Sequence, residues 1–353
     1  MTDYIIVGLG LSGIAISEEF LKLGKKIKVF ENHSQSSSTV AGGIYNPIIL
    51  KRFTLAWQAN EQLELALPFY KSLEHKLKTQ LVQELPIYRK FNSIEEQNNW
   101  FTAMDKPFIS EFLDPNLVPS VNPNIPSDFS FGLVKKTGTV KTKLLLERYK
   151  VYLDNMDAYE AADFEYDQLQ LDGNSCTYKG TQARRIIFCD GFGLTKNPYF
   201  NYLPLRGNKG EYLLIESKDL NLEVAIKSSI FILPLGNDLY KVGATYDNVD
   251  KSETPTPEAK DKLLSQFSKI ITCEYKVVDQ VAGIRPATAD RKPLVGQHPK
   301  HKQLYCCNGF GSRGVLIAPT VAKQLISYIE KDTTLPIDID ISRYTKKFYS
   351  GSL

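Results

Sequence analysis

The fold is decided by residues 4–13, which read YIIVGLGLSG. A short, continuous apolar run that ends in glycine is typical of a buried strand. Gly8, Gly10 and Gly13 then follow the spacing G-x-G-x-x-G, and an apolar-periodic helix runs from them to Gly24. A second β-branched strand follows this helix. The pattern predicts a βαβ unit whose glycine turn binds the pyrophosphate of a dinucleotide.

Each position in this unit has a mechanical purpose. The first glycine allows the tight turn, the second lets a pyrophosphate approach the backbone, and the third lets the helix pack against the strand. The backbone N–H groups of Leu11 and Ser12, at the helix start, offer partial positive charge to a phosphate. Glu31 ends the second strand, where its carboxylate accepts hydrogen bonds from ribose hydroxyls and repels a 2′-phosphate. The unit therefore disfavours NADP, but it does not choose between NAD and FAD.

Length and composition exclude several classes of protein. The 353 residues correspond to about two domains at roughly 150 residues each. The chain is 42% hydrophobic and 24% charged, and its net charge of +3 argues against a main role on nucleic acid or anionic membranes. No apolar run approaches the ~18 residues of a membrane span, and the N-terminus lacks the pattern of a secretory signal. We therefore expect a cytoplasmic protein.

Cysteine and histidine give no sign of a metal site. The five cysteines are odd in number, and the adjacent pair Cys306-Cys307 fits neither a disulfide framework nor a zinc site. The four histidines show no metal-binding spacing. We predict no metal, and we interpret the cysteines as small hydrophobic residues of a reducing compartment.

The rest of the chain is predicted to alternate between helical stretches and stretches of strands and loops. Residues 55–80 are predicted to be helical with a restart at Pro68, and residues 83–137 to form strands and loops. Residues 205–282 are mostly β-like, and a last helix is predicted near 318–330. This alternation suggests two domains between which the chain crosses several times.

Several further motifs, which occur in a fixed order along the chain, indicate a particular protein family. They are SSTVAGGI at 37–44, GGIYNP at 42–47, RRIIFCDG at 184–191, LRG at 205–207, GATY at 243–246, GIRP at 283–286 and GFGSRG at 309–314. With them the sequence resembles the FAD-dependent D-amino acid oxidase family, which includes glycine oxidase and sarcosine oxidase. It also resembles the FAD domain of the bifunctional tRNA-modification enzyme that makes 5-methylaminomethyl-2-thiouridine. The resemblance covers nearly the whole chain, although Cys189 stands where the family usually has alanine.

The resemblance implies an α/β fold in two interleaved parts. A Rossmann-like FAD-binding domain of the glutathione reductase type is expected to comprise residues 1–82, 138–204 and 283–353. An α+β substrate domain, built on an antiparallel sheet, is expected to comprise residues 83–137 and 205–282.

The resemblance also implies FAD as the cofactor. We expect non-covalent FAD, because no cysteine lies near residues 283–290, where sarcosine oxidase-like sequences carry the attachment residue. A glycine loop that opens the last helix would stabilise negative charge on the reduced flavin. The expected FAD-binding residues are Gly8, Gly10, Leu11, Ser12, Gly13, Glu31, Ser38, Thr39, Gly42, Gly43, Ile44, Ala161, Gly191, Gly311, Ser312, Gly314 and Val315.

Four residues are expected at the substrate. Arg285 matches the family arginine that holds a substrate carboxylate through two charge-assisted bonds. Arg313 matches a second arginine near the glycine oxidase substrate site and in the corresponding loop of the tRNA enzyme. Tyr246 and Phe231 are expected to line the pocket from the antiparallel sheet, and Phe231 stands where glycine oxidase-like sequences place a tyrosine. The alternatives are salt bridges for the two arginines and core packing for the two aromatic residues.

The resemblance thus implies an FAD-dependent oxidoreductase that oxidises the C–N bond of an amine or amino acid. Hydride would pass to flavin N5, and water would hydrolyse the resulting imine. One alternative is a tRNA wobble-uridine modification oxidoreductase that acts on a carboxymethylamino group, with tRNA as the partner. Another is a flavin-binding protein with a degenerate substrate site. The sequence leaves the substrate and the electron acceptor open.

Overall fold

The computed structural model describes residues 2–32, 34 and 36–349. Its helices, numbered in chain order, are α1 (Leu11–Lys22), α2 (Ser37–Val40), α3 (Ala59–Leu77), α4 (Ile94–Met104), α5 (Thr142–Asp154), α6 (Pro257–Phe267), α7 (Gly314–Lys331) and α8 (Thr345–Tyr349). None of these helices is both long and apolar enough to cross a membrane, among the residues described.

The strands are also numbered in chain order. They are β1 (Tyr4–Val7), β2 (Ile27–Glu31), β3 (Ile44–Tyr45), β4 (Ile48–Ile49), β5 (Thr54–Leu55), β6 (Val82–Glu84), β7 (Ile87–Lys90), β8 (Leu113–Val118), β9 (Phe131–Val134), β10 (Gly138–Val140), β11 (Tyr159–Ala161), β12 (Leu169–Asp172), β13 (Ser175–Tyr178), β14 (Thr181–Ala183), β15 (Arg185–Phe188), β16 (Leu205–Glu216), β17 (Ala225–Lys227), β18 (Phe231–Gly236), β19 (Leu239–Gly243), β20 (Lys276–Thr288), β21 (Leu294–Gln297) and β22 (Leu304–Asn308).

A six-stranded sheet contains the glycine turn. Its order is β11-β2-β1-β15-β22-β21, and every neighbouring pair is parallel except β21 with β22. All four residues of β1 are buried, as expected for an apolar strand in a parallel sheet covered on both faces. Helix α1 joins β1 to β2 and packs against α7. The predicted βαβ unit is therefore confirmed.

An eight-stranded sheet forms the second layer of the molecule. Its order is β20-β16-β19-β18-β17-β7-β9-β8, and its neighbours are antiparallel except β17 with β7. One face packs on α6, where Leu213, Val242 and Leu263 belong to one buried cluster. The opposite face approaches α2, because a Cβ added at Gly283 would lie 3.1 Å from Ser36 Oγ. A mixed α/β fold with one mostly parallel and one mostly antiparallel sheet is confirmed.

The two sheets draw on different stretches of the chain. The six-stranded sheet takes its strands from the three stretches predicted to bind FAD, and the eight-stranded sheet takes most of its strands from the two stretches predicted to bind substrate. Strand β20 runs through the predicted boundary at residue 283. The division into two interleaved domains with those limits stays a prediction.

Helix α4 lies inside residues 83–137, where strands and loops were expected, so that prediction is wrong at this point. Its sequence is mostly polar, and it buries only Trp100 and Ala103, which leaves a weak helical period. The Ser93 side chain accepts a hydrogen bond from the Glu96 backbone N–H at 3.1 Å. This Ser-x-x-Glu capping pattern is the local signal that predicts the helix.

Prolines lie inside two helices whose predicted limits differ from the structure. Helix α3 continues through Pro68 without a restart, because apolar residues on both sides of it are buried. Helix α7 begins before its predicted start, at Gly314, so that Pro319 lies in its interior. Pro319 has no N–H for the Val315 carbonyl, and the Tyr70 hydroxyl donates to that carbonyl instead, at 2.9 Å.

Candidate active site

The glycine turn is held by close packing between β1, α1 and β15. Gly8 has a φ of +95°, and a Cβ added there would lie 2.5 Å from the Cys189 carbonyl oxygen. A Cβ added at Gly13 would lie 2.0 Å from the Gly8 carbonyl oxygen. Gly10 caps α1 without a side-chain hydrogen bond, and its added Cβ would meet Ser38 Oγ at 3.2 Å. The first and third glycines are therefore required sterically, and the second lies at the helix start.

The acid at the end of β2 lies beside this turn. The Glu31 carboxylate accepts a hydrogen bond from the Leu9 backbone N–H, within the glycine turn. Ala161 ends the neighbouring strand β11, pairs in register with Glu31 and is exposed. Both residues lie at the carboxyl ends of parallel strands, where α/β sheets bind nucleotides.

A second helix begins next to α1 at the same edge of the sheet. A Cβ added at Gly314, the first residue of α7, would lie 3.2 Å from Leu11 Cδ1. Ser12 Oγ donates to the Cys307 carbonyl at 2.7 Å and so ties α1 to β22. Gly311 has a φ of +56°, which suits glycine in the turn that enters α7. Ser312 is exposed in this turn. Two positive helix ends thus face the same region.

A half-buried carboxyl group, which the sequence analysis missed, joins the ends of β15 and β22. Asn308 Nδ2 donates to Asp190 Oδ1 at 3.2 Å and to the Gly191 carbonyl at 2.9 Å. Asn197 Nδ2 donates to Asp190 Oδ2 at 3.1 Å. Burial raises the pKa of Asp190 to about 6, although hydrogen bonds from Asn197, Tyr166 and Asn308 favour its charged form. The Asp190-Gly191 dipeptide was the available sequence signal.

Residues 36–44 cross between the two sheets. Ser38 Oγ accepts a long hydrogen bond of 3.4 Å from the Leu11 backbone N–H, so α2 touches the start of α1. A Cβ added at Gly42 would lie 2.9 Å from Leu233 Cδ1 in β18. Gly43 has a φ of +64°, and its added Cβ would lie 2.0 Å from the Val140 carbonyl oxygen. Thr39 is exposed and Ile44 is half-buried in the same stretch.

The eight-stranded sheet also holds this stretch through a lysine. Lys241 Nζ, on β19, donates to the Val40 carbonyl at 2.8 Å. Burial lowers the pKa of Lys241 to about 8, and the nearby positive charge of Lys143 adds to the effect. A cavity of about 1010 Å³ is lined by Gly42, Val140 and Lys241, among others. The sequence analysis did not identify Lys241.

Arg285 lies on β20, on the face of the sheet that approaches α2. Its Nη1 donates to Asn208 Oδ1 at 2.7 Å and to the Thr245 carbonyl at 3.3 Å. Its guanidinium carbon lies 4.6 Å from the centre of the Tyr246 ring. A Cβ added at Gly210 would lie 2.0 Å from Arg285 Nη2, so glycine leaves the space that the guanidinium occupies. Among the residues described, no carboxylate forms an ion pair with Arg285.

Arg313 is the residue before α7. Its Nη2 donates to the Asn46 carbonyl at 2.5 Å, while its buried Nε has no hydrogen-bond partner among the residues described. Burial lowers the pKa of Arg313 to about 10. The salt bridges of the described residues do not include Arg313, so its charge is not balanced by a neighbouring carboxylate.

The two aromatic residues differ in their surroundings. Gly243 pairs with Phe231 on one side and with Tyr212 on the other, so the three residues share a face of the sheet. Tyr212 lies four residues from Asn208, the partner of Arg285, and Phe231 therefore shares this face with Arg285. Phe231 is half-buried against the main core, and Lys227 Nζ lies 5.0 Å from the centre of its ring. Tyr246 lies beyond the end of β19, covers Arg285 and is 70% exposed. The expectation that Tyr246 lines the substrate pocket stays a prediction.

The described residues do not include a cluster of metal ligands. Among residues 2–32, 34 and 36–349, no group of three His, Cys, Asp or Glu could hold a metal ion. Cys306 and Cys307 are both buried in β22. The glycine turn, Glu31 and two converging helix starts fit a dinucleotide instead, because they supply N–H donors for phosphate and an acceptor for ribose.

This fold and site define an α/β protein with the features of a dinucleotide-binding site. The family model described as FAD dependent oxidoreductase (DAO) matches residues 3–328, and the chain belongs to this family. The protein is therefore an enzyme that depends on FAD.

Two kinds of curated relative are similar to the chain. Glycine oxidase from Bacillus licheniformis is 27% identical over 355 residues, which cover 93% of this chain and 92% of that protein. The tRNA 5-methylaminomethyl-2-thiouridine biosynthesis bifunctional protein MnmC from Legionella pneumophila is 27% identical over 187 residues. That match covers 44% of this chain and only 28% of the MnmC protein.

Solved structures show the same fold. Glycine oxidase from Bacillus cereus superposes with a TM-score of 0.79 and 20% identity, covering 95% of this chain and 96% of the other. Iminodiacetate oxidase from Chelativorans sp. BNC1 gives a TM-score of 0.79 and 16% identity, with coverages of 97% and 98%.

Proposed function

We propose that this enzyme oxidises the C–N bond of a small amino acid or of another amine that carries a carboxylate. The observation that carries the proposal is the guanidinium of Arg285, which lies on the sheet face toward residues 36–44 with only neutral hydrogen-bond acceptors. A cation in that position lacks a carboxylate, and a substrate can supply one. Its planar fork holds a carboxylate by two parallel bonds.

The residues around the glycine turn would hold FAD. We assign the pyrophosphate to the N–H groups of Leu11 and Ser12, the ribose to Glu31, and the flavin edge to residues 311–315 at the start of α7. Ser38 to Ile44 would lie along the flavin. When bound, FAD supplies the acceptor for the hydrogen and the two electrons that leave the substrate carbon.

The residues near Arg285 orient the substrate. Asn208 and Thr245 provide neutral oxygens that fix the guanidinium, and Tyr246 covers one side of it. Burial raises the pKa of Tyr212 on the same face, so its hydroxyl stays protonated near neutral pH. These groups bind and aim a carboxylate, and their contribution to the rate comes from orientation.

The test is anaerobic bleaching of the bound flavin by a panel of amines. Glycine, N-methylglycine, iminodiacetate, D-alanine and L-proline would be compared in the wild type and in Arg285→Met, with ethylamine as an amine without a carboxylate. We expect at least one carboxylate-bearing amine to bleach the wild type. Arg285→Met should bleach at least a hundredfold more slowly, while its visible spectrum without substrate stays unchanged. Equal rates in the two proteins, or bleaching by ethylamine alone, would overturn the carboxylate anchor.

A second candidate is oxidation of a carboxymethylamino group on a tRNA wobble uridine. The observation that favours it is Tyr246, which is 70% exposed and stacks on Arg285 with only one face. An exposed ring is a platform on which a nucleobase can stack. Bleaching by modified tRNA, lost in Tyr246→Ala but kept in Tyr246→Phe, would favour this candidate over free amino acids.

A flavin protein with a degenerate site is the remaining alternative. It predicts that no amine in the panel and no tRNA bleaches the flavin, although FAD binds. Arg285 lies on the face toward residues 36–44 rather than in a surface ion pair, which favours a working site. We place the enzyme in the cytoplasm, since its five cysteines are free thiols.

A further inference from the structure

The segment after β19 forms a cover over Arg285. Residues 246–254, here named the lid segment, leave β19 and continue along β16. The backbone N–H groups of Lys209 and Asp247 each donate to the other residue's carbonyl, at 2.8 and 2.9 Å. The lid segment thus occupies the place beside β16 that β19 leaves after Gly243, and it carries Tyr246 onto Arg285.

A buried amine holds the far half of the lid segment. Lys209 is 1% exposed, and its side chain lies on the opposite face of β16 from Asn208. Its Nζ forms an ion pair of 2.5 Å with Asp250 and a hydrogen bond with the Thr254 carbonyl. It also donates to Ser252 Oγ at 3.3 Å. One lysine therefore binds three positions of the lid segment.

The near half of the lid segment contacts the residues that hold the guanidinium. Asn208 Oδ1 accepts from Arg285 Nη1 at 2.7 Å, while Asn208 Nδ2 donates to Asn248 Oδ1 at 2.8 Å. The carbonyls of Thr245 and Lys209 accept from the same Nη1 at 3.3 and 3.5 Å. Asn208 and Lys209 are each hydrogen-bonded to the lid segment, and Thr245 is the residue that precedes it. The position of the guanidinium therefore depends on the position of the lid segment.

Fixing a loop with a buried lysine is unfavourable in free energy. Removing an ammonium from water costs free energy that an apolar side chain of similar volume would not cost. Buried ion pairs are therefore weak evidence for stability. Lys209 Nζ also lies 3.5 Å from the buried Glu211 carboxylate on β16, but its other three partners all belong to the lid segment, which contacts the residues around Arg285 and indicates a role in geometry at this site.

We propose that Lys209 is a positioning residue, which fixes the lid segment through Asp250 and Thr254 and thereby aims Arg285 and Tyr246 at the substrate carboxylate. The inference rests on the proposed function for the carboxylate, and it adds a determinant of substrate affinity from the opposite face of the sheet. The ion pair acts through Asn208 and Thr245 and does not touch the substrate.

The test uses the FAD-loaded enzyme and two lid variants. Asp250→Asn keeps the size of the side chain, and its remaining oxygen still accepts from the Ser252 backbone N–H, a bond of 2.7 Å in the wild type. Lys209→Met removes the amine itself. The matched control is Glu111→Gln, which breaks an exposed ion pair with Lys136 in another part of the chain. If Lys209→Met fails to fold, Asp250→Asn alone decides the question.

Two readouts are independent of turnover. Trypsin cleavage after Lys251 reports release of the lid segment, because Lys251 is exposed within it. Titration of the flavin spectrum with glycolate reports the carboxylate site, with glycolamide as the uncharged analogue. We expect both lid variants to be cut at least fivefold faster and to bind glycolate at least fivefold more weakly, with unchanged FAD content. Glu111→Gln should behave as the wild type. For any amine that bleaches the flavin, KM should rise while kcat stays within twofold.

The outcomes separate this inference from the function on which it rests. If the lid variants bind glycolate as tightly as the wild type, the positioning role is overturned and the carboxylate site stands. If glycolate leaves the flavin spectrum of the wild type unchanged and no amine bleaches it, the proposed function fails, and the inference fails with it.

Discussion

The Glu31 carboxylate at the end of β2 makes an observed contact with the glycine turn, and we propose another with the cofactor. It accepts from the Leu9 backbone N–H within the glycine turn and is placed for the ribose of FAD. We expect Glu31→Ala to weaken FAD binding at least tenfold, since a hydrogen bond to a charged group contributes about 1.5–3 kcal/mol. The measurement is the Kd of FAD for the apoprotein by flavin fluorescence. Glu258→Ala, an exposed acid on α6, is the control, and an equal Kd in both variants would remove Glu31 from this role.

Asp190 gives the stability of the protein a defined pH dependence. Burial raises the pKa of its carboxyl to about 6, above the ~3.9 of an unfolded chain. The folded state therefore holds this proton more tightly, and its stabilising contribution is lost as pH rises from about 4 to about 6. Asp190→Asn cannot titrate, so its stability relative to the wild type should improve by about 2 kcal/mol between pH 4.5 and 7.5. Thermal unfolding at both pH values measures this, and a constant difference would contradict the assigned pKa.

At the scale of elements, two interior prolines show how packing overrides local preference. Helix α3 continues through Pro68 because apolar side chains before and after it are buried against α7. Helix α4 was missed because its period is weak, although its capping pattern is present in the sequence. At Pro68, the local rule predicted an interruption that burial of the flanking residues overrides. In α4, the local capping pattern marks a helix that the weak hydrophobic period does not.

Tyr70, on α3, connects this helix to α7 with a single hydrogen bond. Its hydroxyl donates to the Val315 carbonyl, which Pro319 leaves without a donor inside α7. Burial raises the pKa of Tyr70, so the hydroxyl remains a donor. We expect Tyr70→Phe to lower the free energy of unfolding by about 1–3 kcal/mol, because a buried carbonyl loses its partner.

Urea unfolding measures this effect, with Tyr328→Phe on α7, the helix that contains Val315, as the control. The Tyr328 hydroxyl makes no hydrogen bond within the part of the chain that the structure describes. Equal stability of the two variants would show that the Val315 carbonyl does not need Tyr70.

At the scale of the whole molecule, the sequence predicted those parts of the candidate site whose residues lie close together in the chain. The glycine turn and Glu31 lie within one short βαβ unit, so their meeting follows from chain geometry. Arg285 was identified by resemblance, and the structure shows it without a carboxylate partner among the described residues. Asn208 and Lys209 could not be identified, because their roles arise from pairing with the lid segment some forty residues later.

The stretches that we assign to FAD lie far apart in sequence and meet at one edge of the parallel sheet. Residues 8–13 and 309–315 approach each other through Leu11 and Gly314, and residues 36–44 contact α1 through Ser38. Because we expect FAD to be non-covalent, mild acid should release it. The apoprotein should be less stable than the holoenzyme, by about 2.7 kcal/mol when free FAD is a hundredfold above its Kd.

Hydrogen exchange of the two forms locates this loss. Amides in the three stretches should exchange faster in the apoprotein, because a bound cofactor stabilises the backbone that it contacts. Helix α6 packs on the face of the antiparallel sheet opposite to residues 36–44, away from the residues that we assign to FAD, so its exchange should not change. Equal acceleration in α6 would indicate global loosening rather than loss of local order. If the three stretches exchange at the same rate with and without FAD, the cofactor binds elsewhere, and the assignment of these residues is wrong.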